Sequence, residues 1–250
     1  MSQVTTASAG AGRVALVTGV SRRIGIGHTV AQRLTADGFR VATAGWSEYD
    51  RRMTWGADDA TPELAGPFYE IDFEDPTATE SLVSTVCEDM GSIHVLVMCH
   101  CESIDSDIHT TTVDSFDRHM AVNARATWQL IKGFSEQPDG VGGSARIVSI
   151  TSDATVGNLP YGASKGAMDR IVLAAAVELA GQGVTANVIN PGATDTGWMS
   201  PEIEQQVLER NLQPRIGRPS DVANLVGFLC SPEGGWVNGQ LLYSDGGLTP

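Results

Sequence analysis

The sequence predicts an α/β fold: one doubly wound parallel sheet covered by helices on both faces. Two observations lead there. Short β-branched apolar runs alternate with longer segments of helical spacing along the chain after residue 12, which is the pattern of right-handed βαβ units. No linker, repeat or low-complexity block interrupts that alternation, and 250 residues suit a single domain.

The elements follow in order. Arg13 to Thr18 is a buried strand that runs into a glycine-rich turn, Val20 to Gly27. His28 to Asp37 has helical spacing at Val30, Ala31 and Leu34, and Gly38 closes it. Phe39 to Ala44 is the second strand. Residues 45–67 hold no strong period and read as a long loop with at most a helical turn. Phe68 to Ile71 is a strand, Pro76 to Met90 a helix, and Ile93 to Met98 the fourth strand. Val113 to Glu136 reads as one long helix, Ala145 to Ile150 as a strand, and Tyr161 to Gly181 as a helix rich in Ala, Ile, Val and Leu. Val184 to Ile189 is a strand, Pro201 to Leu212 an amphipathic helical patch, and Ser220 to Cys230 a helix with Ser220 as N-cap. Gln240 to Tyr243 is the last strand.

Bulk properties exclude some function classes. Hydrophobic residues make up 42% and mean hydropathy is −0.05, as in ordinary globular proteins. The net charge of −14 repels phosphate backbones, so no nucleic-acid partner is expected. The longest apolar runs are strand-length, so no membrane partner is expected either. Met1 to Gly12 is small and polar, without a charged segment followed by an apolar one. It reads as a disordered tail rather than a signal peptide, leaving 13–250 as the folded domain. Cys87, Cys99, Cys101 and Cys230 fit no disulfide framework and suggest reduced thiols in a cytoplasm.

Chemistry concentrates at three places. Gly19, Gly25 and Gly27, with Ser21, Arg22, Arg23 and Ile26 between them, join the first strand to the first helix. Such a turn lets backbone approach a pyrophosphate at a helix N-terminus. The second strand ends Ala44-Gly45-Trp46-Ser47 without the carboxylate that would bind a ribose 2′-hydroxyl, and Arg22, Arg23, Arg51 and Arg52 surround it in sequence. That favours NADP(H) over NAD(H), with Glu48 as the counter-evidence and a solvated face as the plain alternative for Arg51 and Arg52. Third, Tyr161 and Lys165 lie four apart on a helix face, where an ammonium beside a phenol lowers its pKa. Ser152 lies just past the fifth strand.

Together these residues resemble the short-chain dehydrogenase/reductase family over residues 13–248. The matches are Thr18-Gly19 with Gly25-Ile26-Gly27, Asp72, Asn123 in M-A-V-N-A-R-A, Ser152, Tyr161-x-x-x-Lys165, Asn190-Pro191-Gly192 with Thr194 and Thr196, and Arg215-x-Gly217-x-Pro219-x-Asp221 leading to Asp245-Gly246-Gly247. The branch containing 3-oxoacyl-carrier-protein reductases is the nearest likeness. The resemblance implies a Rossmann-type fold and reduction of a small-molecule carbonyl, and the apolar residues Trp198, Met199, Ile203, Val207 and Leu212 suggest a bulky apolar ketone, polyketide-like or carrier-bound, with ordinary helix core as the alternative. It implies Tyr161 as acid, Lys165 on the nicotinamide ribose, Ser152 on the substrate oxygen and Asn123 in a proton relay. It places Asp72 at the adenine, backbone near Pro191, Gly192 and Thr194 at the carboxamide, and implies a homotetramer or homodimer.

Three departures stand out. Met98-Cys99-His100-Cys101 replaces the family's N-N-A-G. Cys-His-Cys on consecutive residues lacks metal-ligand spacing, so no metal is expected; altered packing is the default and a substrate-facing His100 the alternative. The interval from Ser152 to Tyr161 is short for the family, which puts Ser152 in question. The glycine turn is enlarged. A non-redox enzyme on the same scaffold, or a cofactor-binding protein without catalysis, are the rival readings.

Overall fold

The computed structural model of the chain describes residues 10–60 and 63–249. Seven strands form one parallel sheet: β1 (Val14–Thr18), β2 (Arg40–Gly45), β3 (Phe68–Glu70), β4 (Ile93–Met98), β5 (Ala145–Ile150), β6 (Val184–Asn190) and β7 (Leu241–Tyr243). Their spatial order is β3-β2-β1-β4-β5-β6-β7. The order reverses between β1 and β4, and the crevice outside their C-terminal ends is where such sheets bind ligands.

Side chains alternate across the sheet, so the strands feed two cores. Leu16, Ala42, Leu96, Met98, Ile147 and Val188 face one side. There α3 (Pro76–Met90), α5 (Ala126–Ser135) and α6 (Leu159–Glu178) cover them with Leu82, Val83, Leu130, Phe134, Met168 and Val172. Ala15, Val17, Val41, Val95, Val97, Val148 and Ile189 face the other, under α1 (Ile26–Ala36) and α8 (Pro219–Cys230). Both faces are covered, which is why the strands read as continuous apolar runs.

Several expectations need correction. The loop 45–67 contains α2 (Ser47–Arg52). The helix expected over Val113 to Glu136 is three pieces: α4 (Val113–His119), a π-helical turn at Met120–Arg125, and α5. The helix bearing Tyr161 starts earlier, at Leu159, because Pro160 suits the first helical turn. Ser220 is not the N-cap of α8. Pro219 fixes the start, Arg218 is the cap residue, and the Asp221 carboxylate accepts the Arg218 amide at 2.8 Å. The expected tail falls mostly on residues 1–9, outside the described residues. Gly10–Gly12, also assigned to it, make a turn: the Gly10 amide donates to the Asp37 carbonyl at 2.9 Å and the Gly10 carbonyl accepts from Arg13 at 2.8 Å. Helix α7 (Pro201–Arg210) buries none of its residues.

Candidate active site

The glycine turn is held in shape by close contacts. Gly19 has φ of +74°, and a Cβ on Gly27 would come within 2.5 Å of the Gly19 carbonyl oxygen. Only glycine permits both the turn and the close seat of α1 on it. Gly25 caps α1 without a side-chain hydrogen bond, and the first turn of α1 carries no acid. Its amides are thus open to an anion at the positive end of the helix. This cradle fits a dinucleotide pyrophosphate.

The four arginines divide into two pairs. Arg51 is bonded to Glu48 on the surface, and Arg52 turns inward to Glu102. Arg22 and Arg23 have no ion-pair partner among the described residues; Arg22 stacks over Trp55 and lies against Gly197 across the crevice. Ser47 is committed to Glu70, its amide and hydroxyl donating at 2.7 and 3.2 Å. Trp46 lies under the Arg52 guanidinium. Asp72 accepts the Glu74 amide at 2.9 Å at the end of β3.

Asn123 lies in the π-helical turn, fully buried. Its Oδ1 accepts the Glu102 amide at 2.8 Å, while Nδ2 donates to the Glu102 carbonyl at 2.9 Å and to the Ser164 hydroxyl at 2.8 Å. Ser164 in turn donates to the Tyr161 carbonyl at 2.8 Å. One amide side chain therefore ties the exit of β4 to the helix that carries Tyr161 and Lys165. The wider π turn sets the Asn123 side chain toward both neighbours.

Tyr161 and Ser152 are brought together despite the short interval, for the Ser152 hydroxyl lies near enough to the phenol to oppose the rise of its pKa. The loop is tight for identifiable reasons. Ser152 Oγ accepts the Ala154 amide at 3.1 Å, and Gly162 packs so closely on the Ala154 carbonyl that any Cβ there would collide with it. The Leu159 amide donates to Ser106 at 2.9 Å, anchoring the far end.

The expected lowering of the Tyr161 pKa is not what the surroundings produce. Desolvation raises it well above the ordinary phenol value; Cys101 adds to this and Ser152 opposes it. The Lys165 ammonium is buried, donates to the Ile150 carbonyl at 2.8 Å and sits 5.7 Å from the Tyr161 ring centroid. Burial lowers its own pKa. Tyr161 is consequently a neutral phenol holding its proton.

The remaining predicted residues form the opposite wall. The Asn190 side chain accepts the Gly192 amide at 3.0 Å, and Gly192 adopts φ of +58° against Asp245. The buried Thr194 hydroxyl donates to the Pro191 carbonyl at 3.0 Å, and Thr196 is half-buried beyond it. Ser21 and Ile26 are half-buried in the glycine turn.

His100 is a packing residue. Its Nδ1 is 2.6 Å from the Thr18 hydroxyl, its ring stacks on Phe73 at 4.2 Å, and burial pushes its pKa down to about 3. Cys99 and Cys101 are free thiols whose pKa values burial raises. Three residues escaped the sequence reading. Asp50 is buried and accepts from Ser21 at 2.5 Å and from Trp55 at 3.0 Å; Glu70 binds Ser47; Glu102 binds Arg52. The acids within five residues of the β2 tip were the available signal for Asp50.

Comparison with known proteins agrees with this geometry. A family model described as Enoyl-(Acyl carrier protein) reductase matches residues 19–249. The chain is 31% identical to a short-chain dehydrogenase/reductase of Armillaria gallica, covering 98% of this chain and 99% of that one. It is 31% identical to the 3-oxoacyl-[acyl-carrier-protein] reductase MabA of Mycobacterium tuberculosis, over 94% and 92%. It is similar to the crystal structure of a short chain dehydrogenase from Burkholderia cenocepacia in complex with NADP, with a TM-score of 0.82, 31% identity, and coverage of 95% and 98%.

Proposed function

Because this chain belongs to the short-chain dehydrogenase/reductase family and is thus an oxidoreductase, we propose that it uses NADPH to reduce a ketone to an alcohol, with Tyr161 as the acid. The observation that carries this reading is the Tyr161 ring 5.7 Å from the buried Lys165 ammonium, which is anchored on Ile150 at the end of β5, two residues before Ser152. When bound, NADPH supplies the hydride that adds to the carbonyl carbon. The chain supplies the rest. Ser152 Oγ accepts from the Ala154 amide, which leaves its own proton to donate to a substrate oxygen. Tyr161 donates its proton to the same oxygen as negative charge develops there. Its raised pKa keeps the proton on the phenol until charge develops on the substrate oxygen. Lys165 uses one of three N–H groups on Ile150 and directs a second to the Met168 sulfur at 3.9 Å, which leaves the third for a ribose hydroxyl. Asn123 fixes the β4 exit that walls the site.

The preference for NADPH rests on Arg22 and Arg23, cations at the glycine turn without an ion-pair partner among the described residues, in a chain with net charge −14. A relative crystallised with NADP supports it. Glu48 does not oppose it, being tied to Arg51. Trp198, Ile203 and Leu212 expose apolar surface on and around α7, which suits a bulky apolar ketone, polyketide-like or carrier-bound. Exposed Val113, Trp128 and Val177 on α4, α5 and α6 suit a homodimer or homotetramer, checked by light scattering. Four free thiols suit the cytoplasm. No helix among the described residues is long and apolar enough to cross a membrane. The altered β4 exit offers no support to a non-redox reaction, since His100 is locked between Thr18 and Phe73. Titration with NADPH, followed by a carbonyl panel monitored through NADPH oxidation, tests the proposal. NADPH binding without oxidation by any carbonyl would contradict it.

A further inference from the structure

Helix α2 is six residues long and cannot hold itself. Three contacts pin it to the glycine turn and the β4 exit. Asp50 takes the Ser21 hydroxyl of the glycine turn at 2.5 Å. Arg52 pairs with Glu102 at the exit of β4, and the Tyr49 hydroxyl reaches the Ser103 carbonyl at 3.5 Å beside it. The Arg52 guanidinium lies between Trp46 and Tyr49, 5.2 and 5.3 Å from their ring centroids. Glu102 is 1% exposed, and its other carboxylate oxygen, Oε1, is buried without a hydrogen-bond partner among the described residues. Its main chain is clamped on both sides by Asn123. Arg52 is therefore the direct ion-pair partner of a buried carboxylate on the wall of the crevice. Removing one member of such a pair leaves an uncompensated charge.

The glycine turn, the β2 tip and the β4 exit are the three walls around the adenosine half of the proposed cofactor site, and α2 joins all of them. We propose that Arg52 and Glu102 are positioning residues for the nucleotide: their ion pair holds α2 against the β4 exit and so sets the width of that half of the crevice. This rests on the nucleotide-dependent reading above. It differs from direct phosphate recognition, because a wall that shifts weakens both nicotinamide nucleotides alike.

The test measures Kd for NADPH and for NADH by fluorescence in the wild type, Arg52→Met, Arg52→Lys and Glu102→Gln, with amide exchange of the unliganded proteins. Arg52→Met is expected to weaken both nucleotides by about tenfold, a loss of about 1.4 kcal/mol. Turnover at saturating NADPH should stay within about threefold of wild type, and exchange should rise at residues 47–55 and 101–104. Arg52→Lys should recover most of the loss, and the double variant Arg52→Met, Glu102→Leu, which leaves no lone buried charge, guards against misfolding of the single variant. A loss confined to NADPH would overturn positioning in favour of direct contact with the phosphate. Binding of both nucleotides within twofold of wild type would overturn the inference alone. A wild type that binds neither would overturn the cofactor reading and this inference with it.

Discussion

Replacing Asn123 by Ala tests the claim that one side chain joins the β4 exit to the catalytic helix. The substitution removes the partner of the Glu102 amide and one partner of the Glu102 carbonyl, and it frees the Ser164 oxygen. Ser164 keeps its bond to the Tyr161 carbonyl, so the cost falls mainly on the two Glu102 groups. Each buried backbone group left without a partner costs roughly 1–3 kcal/mol, and both sit where water cannot reach without opening the turn. The expected loss is about 2–6 kcal/mol. For a domain of this size each kcal/mol shifts Tm by roughly 2–4 °C, so Tm should fall by about 4–24 °C in a thermal melt. Activity should fall further than stability predicts, because Lys165 and Tyr161 share the helix that Ser164 steadies. A fall of less than about 2 °C would refute the reasoning, since the three bonds would then be replaceable.

Two further predictions follow from the site. His28, His94, His100 and His119 all have pKa values lowered chiefly by burial, His100 to about 3 from 6.5. The unfolded chain takes up those protons first, so stability is complete above about pH 6.5 and is lost as pH falls toward the folded values. Tm should drop steadily between pH 6.5 and 4.5, and His100→Gln should flatten that slope; parallel curves for variant and wild type would refute the assignment. Gly162→Ala would push a methyl into the Ala154 carbonyl and displace the loop holding Ser152. Turnover should fall at least about tenfold with NADPH affinity kept within about twofold, and full activity would show that the loop does not position Ser152.

The strands and the glycine turn were legible because local pattern carries them: apolar runs in a doubly covered sheet and glycines at a tight strand-to-helix turn; the grouping of Tyr161, Lys165, Ser152 and Asn123 rested on the family resemblance instead. What was not legible depended on distant partners. Ser47–Arg52 has no apolar period, and its helix exists because Ser21 and Glu102 hold it. The π turn at Asn123 adds a residue to a helix whose spacing otherwise looks continuous. Ser220 is the better cap by type, but Pro219 at the first helical position decides the boundary. The direction of the Tyr161 pKa was missed for a similar reason. A lysine one turn away is visible in the sequence, whereas its engagement with the Ile150 carbonyl and the desolvation of the phenol are not.

The central claim is that Tyr161 is the proton donor in an NADPH-dependent carbonyl reduction. It is tested most directly by carbonyl-dependent NADPH oxidation in Tyr161→Phe, with nucleotide affinity measured on the same preparation. Removal of a general acid typically costs 10²–10⁴-fold. A loss of about that size with the NADPH Kd within about threefold of wild type is the predicted result, while activity above about one-tenth of wild type would contradict the account.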